Sequence, residues 1–255
     1  MKRVGTIQGR SRRLQRIAGL VRTGKTLADV GCDHGYLSID LVRTGRMQRA
    51  IAMDINEGPL QRAAEHIARE ALGEYIQTRR SNGLDELLAG EADAVVIAGM
   101  GGNLTIDILT RGEALVCALE QLILEPQSEL AGVRAYLRER DYRIEAEDLV
   151  LEDGKYYPIL RVLPQKNSDV SAFSRESGLS ESVLDAYGHR LLAARHPALI
   201  SFLERERYQC EQILAGLLAK QTGSERIALR RAQLLEKMER NRAAAAYINR
   251  KAGEH

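Results

Sequence analysis

The sequence predicts an α/β chain: a mostly parallel sheet with helices on both faces, closed by an antiparallel hairpin and followed by a separate helical segment. Three observations predict it. Short continuous apolar runs alternate with helix-period stretches over residues 1–140, the pattern of strands buried on both faces by crossover helices. Two strand-like runs flank Glu152-Asp153-Gly154-Lys155, and an Asp-Gly pair in that position is a strong hairpin signal. Beyond residue 180 no strand signal remains, and apolar residues recur at helical spacing.

The first helix is read from Leu14, Ile17, Ala18 and Val21, spaced as i, i+3, i+4 and i+7, with Gly24 as its stop. The stretch LADVGCDHGYL follows. It reads as a buried strand over residues 26–30 that ends at Gly31, turns through Cys32, Asp33 and His34, and enters a helix near Tyr36. Residues 50–54 (AIAMD) form a second strand, and Asn56, Gly58 and Pro59 lead into a helix reaching about Leu72. Proline fits the first helical turn because its missing N–H has no partner there. A brief strand over residues 75–78, the turn Ser81-Asn82-Gly83 and a short helix through Leu84, Leu87 and Leu88 come next. Residues 93–97 (DAVVI) make a strand opening onto the loop Ala98-Gly99-Met100-Gly101-Gly102; residues 121–124 (QLIL) make another, followed by a helix over residues 128–140. The hairpin strands are residues 142–151 and 156–163.

The polar, weakly periodic residues 164–180 are the expected linker, dividing the chain into domains 1–164 and 165–255. In the second domain Leu203, Cys210 and Leu217 repeat every seven residues, beside Ile200 and Leu214 and interrupted by Arg207. After Thr222-Gly223-Ser224, Ile227, Leu234 and Ile248 share one frame, interrupted by Asn241, and Met238 and Ala245 share the other. This predicts an antiparallel helical hairpin or short coiled coil.

No apolar run is long enough to cross a bilayer, so the chain reads as soluble. Cys32, Cys117 and Cys210 form neither a metal spacing nor a disulfide framework, which points to no metal and to a reducing cytoplasm. The net charge of +2 hides an asymmetry: Lys2, Arg3, Arg10, Arg12, Arg13, Arg16, Arg22 and Lys25 precede residue 26 with no acid among them. Such a basic pole fits a polyanion such as nucleic acid. A solvated helix face and an arginine-rich presequence are the competing readings, the second opposed by the core-type spacing of Leu14, Ile17, Ala18 and Val21. No Ser-His-Asp or Cys-His arrangement, H-E-x-x-H motif or Walker loop is visible.

Four loops follow four parallel strands, and in a doubly wound sheet they share the carboxyl edge, where nucleotide-like cofactors bind. The first is G-x-x-x-G, not the G-x-G-x-x-G dinucleotide fingerprint. S-adenosylmethionine carries no phosphate, and its ammonium suits Asp33 in the turn, so it is favoured over a dinucleotide; an ordinary glycine turn is the plain alternative. Asp54 ends its strand where a carboxylate can accept from ribose hydroxyls, or else caps the next helix. Asn82, Gly83 and Leu84 offer an amide and an apolar contact to an adenine, or a generic turn. Ala98, Gly99, Met100, Gly101 and Gly102 leave room for a flat base and expose carbonyls to an exocyclic amine; a phosphate nest and tight helix-sheet packing compete. A sheet of this kind closing in an antiparallel hairpin is similar to the class I (Rossmann-like) methyltransferase fold, whereas a dehydrogenase is expected to continue with βα units.

In order, SRRLQRIAGL, ADVGCDHGYLS, AMDIN, SNGL, VVIAGMGG, LILEPQ and LEDGKYYPIL resemble the bacterial tRNA (adenine-22-N1)-methyltransferase family, TrmK. AGMGG and DGKYYPI carry most of the specificity, and residues 164–255 match only in being helical. The family's first turn often reads SDHAYLP, from which Cys32, Gly35 and Ser38 depart slightly. The resemblance implies methyl transfer from S-adenosylmethionine to N1 of an adenine in the D-arm region of tRNA. It implies a cofactor site at Gly31, Cys32, Asp33, His34, Tyr36, Asp54, Ile55, Asn82, Gly83, Leu84, Ala98, Gly99 and Met100. The reacting atoms are expected beside Asp33, Tyr36, Gly99 and Met100, and the nucleic acid on Arg10, Arg12, Arg13, Arg16, Gly101 and Gly102. The C-terminal helices are left to grip tRNA or to self-associate weakly. A methyltransferase of another substrate and a non-catalytic tRNA-binding scaffold are the rival readings.

Overall fold

The computed structural model describes residues 11–219 and 225–250, and the chain divides into two compact units between Asp169 and Val170. The first unit runs α1 (Arg12–Leu20), β1 (Gly24–Val30), α2 (Tyr36–Arg43), β2 (Met47–Asp54), α3 (Glu57–Arg69), β3 (Ile76–Arg80), β4 (Ala94–Met100), α4 (Gly102–Arg111), α5 (Glu113–Val116), β5 (Gln121–Pro126), α6 (Leu130–Glu139), β6 (Arg143–Glu152) and β7 (Lys155–Leu163). Its strands form one seven-stranded sheet in the order β3-β2-β1-β4-β5-β7-β6. β1 to β5 are parallel; β7 inserts antiparallel beside β5, with β6 outside it.

Burial on both faces explains the continuous apolar runs. On β4, Val95 and Ile97 face a core with Leu122, Leu124, Ile108 and Leu137, while Ala94 and Val96 face the other with Ile17, Leu27, Ile123 and Ile159. Strand order reverses between β1 and β4, so the crevice at the carboxyl edge opens there. The hairpin pairs Glu152 with Lys155 across Asp153 and Gly154, at φ of 49° and 75°. Two positive φ values in a two-residue connection match the twist of the flanking strands.

Several local expectations are corrected. Helix α1 is capped by Ser11, whose Oγ accepts the Leu14 N–H, and it closes where the Val21 N–H returns to Ile17 and Ala18. Gly24 therefore opens β1 rather than stopping the helix. No helix forms through Leu84, Leu87 and Leu88: the Ser81 hydroxyl accepts the Glu86 N–H and Glu91 accepts the Leu88 N–H. Side chains there take amides that a helix would bond to its own carbonyls. Residues 98–100 extend β4 instead of starting a loop, with a register shift against β5 between Ala98 and Met100. Helices α4 and α5 fill a stretch that the sequence reading left unassigned.

The second unit holds α7 (Val170–Ser177), α8 (Glu181–Tyr187), α9 (His189–Ala193), α10 (Pro197–Ala219) and α11 (Glu225–Arg250). The expected linker is thus helical over α7, leaving residues 164–169 and 178–180 irregular. Helices α10 and α11 run antiparallel, with Leu203 against Asn241 and Glu206 against Lys237. Both supposed interruptions of the seam have a physical reading. Arg207 is exposed, because the buried stripe follows Leu203, Glu206 and Cys210. Asn241 is buried and donates to the Leu203 carbonyl and to Glu206, both at 3.0 Å. Glu206 also accepts from Tyr187 at 2.6 Å and pairs with Lys237 at 2.9 Å, so the buried carboxylate is satisfied. Thr222-Gly223-Ser224 lies outside the described residues, as do Arg10 and the basic residues before it.

Candidate active site at the carboxyl edge of the sheet

The first corner is built where β1 ends. Gly31, at φ 76°, and Cys32 both donate their N–H to the Met53 carbonyl of β2, at 2.8 and 3.0 Å. Asp33 and Gly35 follow with φ of 47° and 69°, and the Gly35 N–H returns to the Cys32 carbonyl at 2.8 Å. Gly35 then caps α2 without a side chain. Asp33 is exposed and pairs with Arg62 of α3 at 3.2 Å, so a cationic ligand group here competes with a guanidinium. The His34, Tyr36 and His66 rings stack on one another at centroid distances of 5.4, 4.7 and 5.6 Å. His66 donates to the His34 carbonyl at 2.9 Å. The His34 Nδ1 is buried and has no hydrogen-bond partner among the described residues. Cys32 is no nucleophile: burial, with Asp29 and Asp54 nearby, pushes its thiol far above the usual range.

At the end of β2, Asp54 is half-buried and its Oδ1 accepts the Asn56 N–H at 2.9 Å. Ile55 is 50% exposed, and its carbonyl accepts from Arg80 at 3.1 Å. Asn82 is exposed, Gly83 is buried against Ile108, and the Leu84 side chain lies wholly in the core. The apolar side-chain contact expected of Leu84 at this edge is thus made to the core instead. Ser81, which sequence reasoning passed over, fixes this turn by donating to the Gly83 carbonyl at 2.9 Å.

Gly99 is exposed at φ 79°, and its N–H goes to the Glu125 carboxylate at 2.7 Å. A Cβ built on Gly31 would lie 2.5 Å from the Met100 Cε, so the first and fourth strand ends touch. Gly101 caps α4. Gly102 does not present a surface for nucleic acid: it is buried, and a Cβ there would fall 2.4 Å from the Ser128 carbonyl oxygen. Its smallness serves the packing of α4.

The basic segment is also less available than its charge implies. Arg13 pairs with Glu125 and lies over the Tyr157 ring, Arg16 pairs with Asp148, and Arg22 with Glu145. Arg12 is exposed, and its main-chain N–H bonds Glu152. Sequence reasoning missed Glu125 and His66. An acid at the end of an apolar run, in QLILEP as in AIAMD, was the available signal for the first; the second has none.

The glycine corner, the carboxylate ending β2 and the unpartnered His34 nitrogen fit S-adenosylmethionine, which needs close backbone approach and polar contacts but no phosphate nest. Together with the sheet order and terminal hairpin they define a class I methyltransferase. Residues 10–160 match the family described as methyltransferase domain. A Bacillus subtilis tRNA (adenine(22)-N(1))-methyltransferase is 37% identical over 150 residues, which are 59% of this chain and 63% of that protein. The crystal structure of the B. subtilis M1A22 tRNA methyltransferase TrmK superposes with a TM-score of 0.82 at 28% identity, covering 92% of this chain and 98% of that one. Streptococcus pneumoniae Sp1610 in complex with S-adenosyl-L-methionine gives a TM-score of 0.78 at 30% identity, covering 92% and 99%. The chain belongs to the methyltransferase-domain family and, within it, to the bacterial TrmK proteins. Among the described residues no cluster could hold a metal ion, and no helix is long and apolar enough to cross a membrane.

Proposed function

We propose that this protein is a tRNA methyltransferase that transfers a methyl group from S-adenosylmethionine to N1 of an adenine, position 22 of tRNA. The observation that carries the reading is the contact between Gly31 and Met100, which sets the small residues Ala98 and Gly99 beside the first corner. The names of the relatives support the same substrate and position. Residues 1–164 are the methyltransferase domain in this reading, and residues 165–255 a helical domain that contacts tRNA or a second copy. A tRNA substrate places the protein in the cytoplasm.

When bound, S-adenosylmethionine supplies an electrophilic methyl carbon. The chain supplies the rest. Gly31, Cys32, Asp33, His34 and Tyr36 hold the amino-acid end; Asp54 and Ile55 receive the ribose; Asn82, Gly83 and the Leu84 main chain border the adenine. Ala98, Gly99 and Met100 floor the acceptor pocket, with Asp33 and Tyr36 at its entrance. Adenine N1 carries a lone pair at neutral pH, so no residue has to generate an anion. Alignment is the main task. N1 lies on the pairing edge, so the base must leave its stack to enter.

The test is methyl transfer to an unmodified tRNA transcript, with the modified position mapped by reverse-transcription arrest. Arrest at adenine 22, lost when that adenine is changed, is the expected result. A protein that binds S-adenosylmethionine but leaves tRNA unmethylated overturns the reading.

A further inference from the structure

Glu125 has no part in the assignments above, yet it is the most deeply buried charge near the acceptor floor. It is the last residue but one of the core strand β5, and its side chain is 0% exposed. Oε2 accepts the Gly99 N–H at 2.7 Å and lies 3.2 Å from the Arg13 guanidinium. Oε1 is buried without a hydrogen-bond partner among the described residues. Burial raises this carboxyl above its ordinary range, against the pull of Arg13 and the Gly99 amide. A well-packed apolar side chain is commonly as good or better for stability at such a position, so packing does not account for an acid there.

Its geometry does. Gly99 sits at the register shift between Ala98 and Met100, where the amide has left the regular ladder and the carboxylate receives it. Bulges beside active sites re-aim neighbouring groups, and the neighbour here is Met100, in contact with Gly31. Arg13 is itself held over Tyr157, 5.1 Å from the ring centroid.

We infer that Glu125 is a positioning residue for methyl transfer, holding the Gly99 bulge that floors the acceptor pocket and tying it to Arg13 of α1. The inference rests on the methyltransferase reading. Without the carboxylate, the Gly99 amide is free to rejoin the strand and the floor shifts. The first corner, suspended from the Met53 carbonyl, stays in place. The loss then falls on kcat rather than on cofactor affinity.

The test compares Glu125→Ala and Glu125→Gln in the full chain, by tRNA methylation kinetics, calorimetry with S-adenosylhomocysteine, and the Gly99 amide resonance in a nitrogen-15 spectrum. Glu125→Ala is expected to lower kcat at least about tenfold, leaving S-adenosylhomocysteine affinity within roughly twofold, as misalignment rather than lost binding predicts. Glu125→Gln keeps an oxygen that accepts the Gly99 N–H and is expected to restore most of kcat and the Gly99 resonance position. Unchanged kcat in Glu125→Ala, equal losses in the two variants, or a loss matched by cofactor affinity overturns the inference. If Glu125→Ala does not fold, a Glu125→Gln protein with kcat near wild type still supports it, and one with a tenfold loss overturns it. If the wild-type chain methylates no tRNA, the functional reading fails instead, and the Gly99 resonance alone decides whether Glu125 holds the bulge.

Discussion

The corner after β1 and the corner after β4 both present glycine at a sheet edge, but they are held by different means. The first is held by main chain and a local side-chain tie: its amides close on the Met53 carbonyl of the adjacent strand and on itself, and Asp29 beneath it accepts from Ser38 at 2.8 Å, only nine positions along the chain. The second is assembled at a distance. Gly99 depends on Glu125, 26 residues away, which in turn meets Arg13, 112 residues away. The buried carboxylates differ accordingly: Asp29 has a hydroxyl partner, Glu125 an amide and a guanidinium. A local corner is protected by its own backbone, whereas an assembled one is only as secure as its remote partners.

The largest effect that would sharpen this contrast is expected at Gly102, in the assembled corner. Gly102→Ala forces a Cβ within 2.4 Å of the Ser128 carbonyl oxygen and 3.0 Å of the Glu129 Cβ. Since main chain cannot swing aside, the loss is about 3 kcal/mol, at the upper end for overpacking, read from the urea midpoint. A midpoint unmoved by the change would show that this corner yields after all.

The next effect belongs to the local corner and depends on pH. Burial lifts the Asp29 carboxyl to about 6. The folded protein then holds this proton more tightly than the unfolded chain does, so this group's contribution to stability falls as pH rises from about 4 to about 6 and is level above that. Asp29→Asn removes that slope and is expected to raise stability near pH 7 by on the order of 2 kcal/mol. Paired urea titrations near pH 4 and pH 7 check it; an Asn variant with the wild-type slope would remove Asp29 from the account.

Gly31→Ala comes third. Its φ of 76° and the Met100 Cε at 2.5 Å oppose a Cβ, but the methionine tip can move. The cost is about 1 kcal/mol from the left-handed backbone and about 1 kcal/mol more from displacing the methionine tip, with weaker S-adenosylhomocysteine binding by calorimetry. Adding Met100→Ala relieves only the contact, so binding that recovers fully would show the dihedral to be unimportant.

Gly99→Ala is the smallest. Its nearest neighbours are a side-chain nitrogen at 3.8 Å and another at 4.0 Å, so only the φ of 79° is strained, at about 1 kcal/mol. Cofactor affinity should hold while methyl transfer slows. A large loss of affinity would mean that the two corners are not separable.

The first corner was legible because LADVGCDHGYL states both its strand and its turn. Asp54 and the Asp153-Gly154 hairpin were legible for the same reason. The segment after Asn82 was misread as helix because its apolar spacing suits one, while Ser81 and Glu91 divert its amides. The polar residues of α7 concealed a helix, and Asn241 looked like a fault in a heptad until Leu203 and Glu206 met it from the facing helix.

Taken alone, the sequence determined the order of the strands, the sheet class and the turn of the first corner, since apolar period and glycine placement act over a few positions. Only the tertiary structure decided which charges remain for a partner. Arg13, Arg16 and Arg22 read as one basic pole, yet each meets an acid more than a hundred positions away. Ion pairing depends on separation in space, and no local pattern records that Glu125 lies between Arg13 and Gly99.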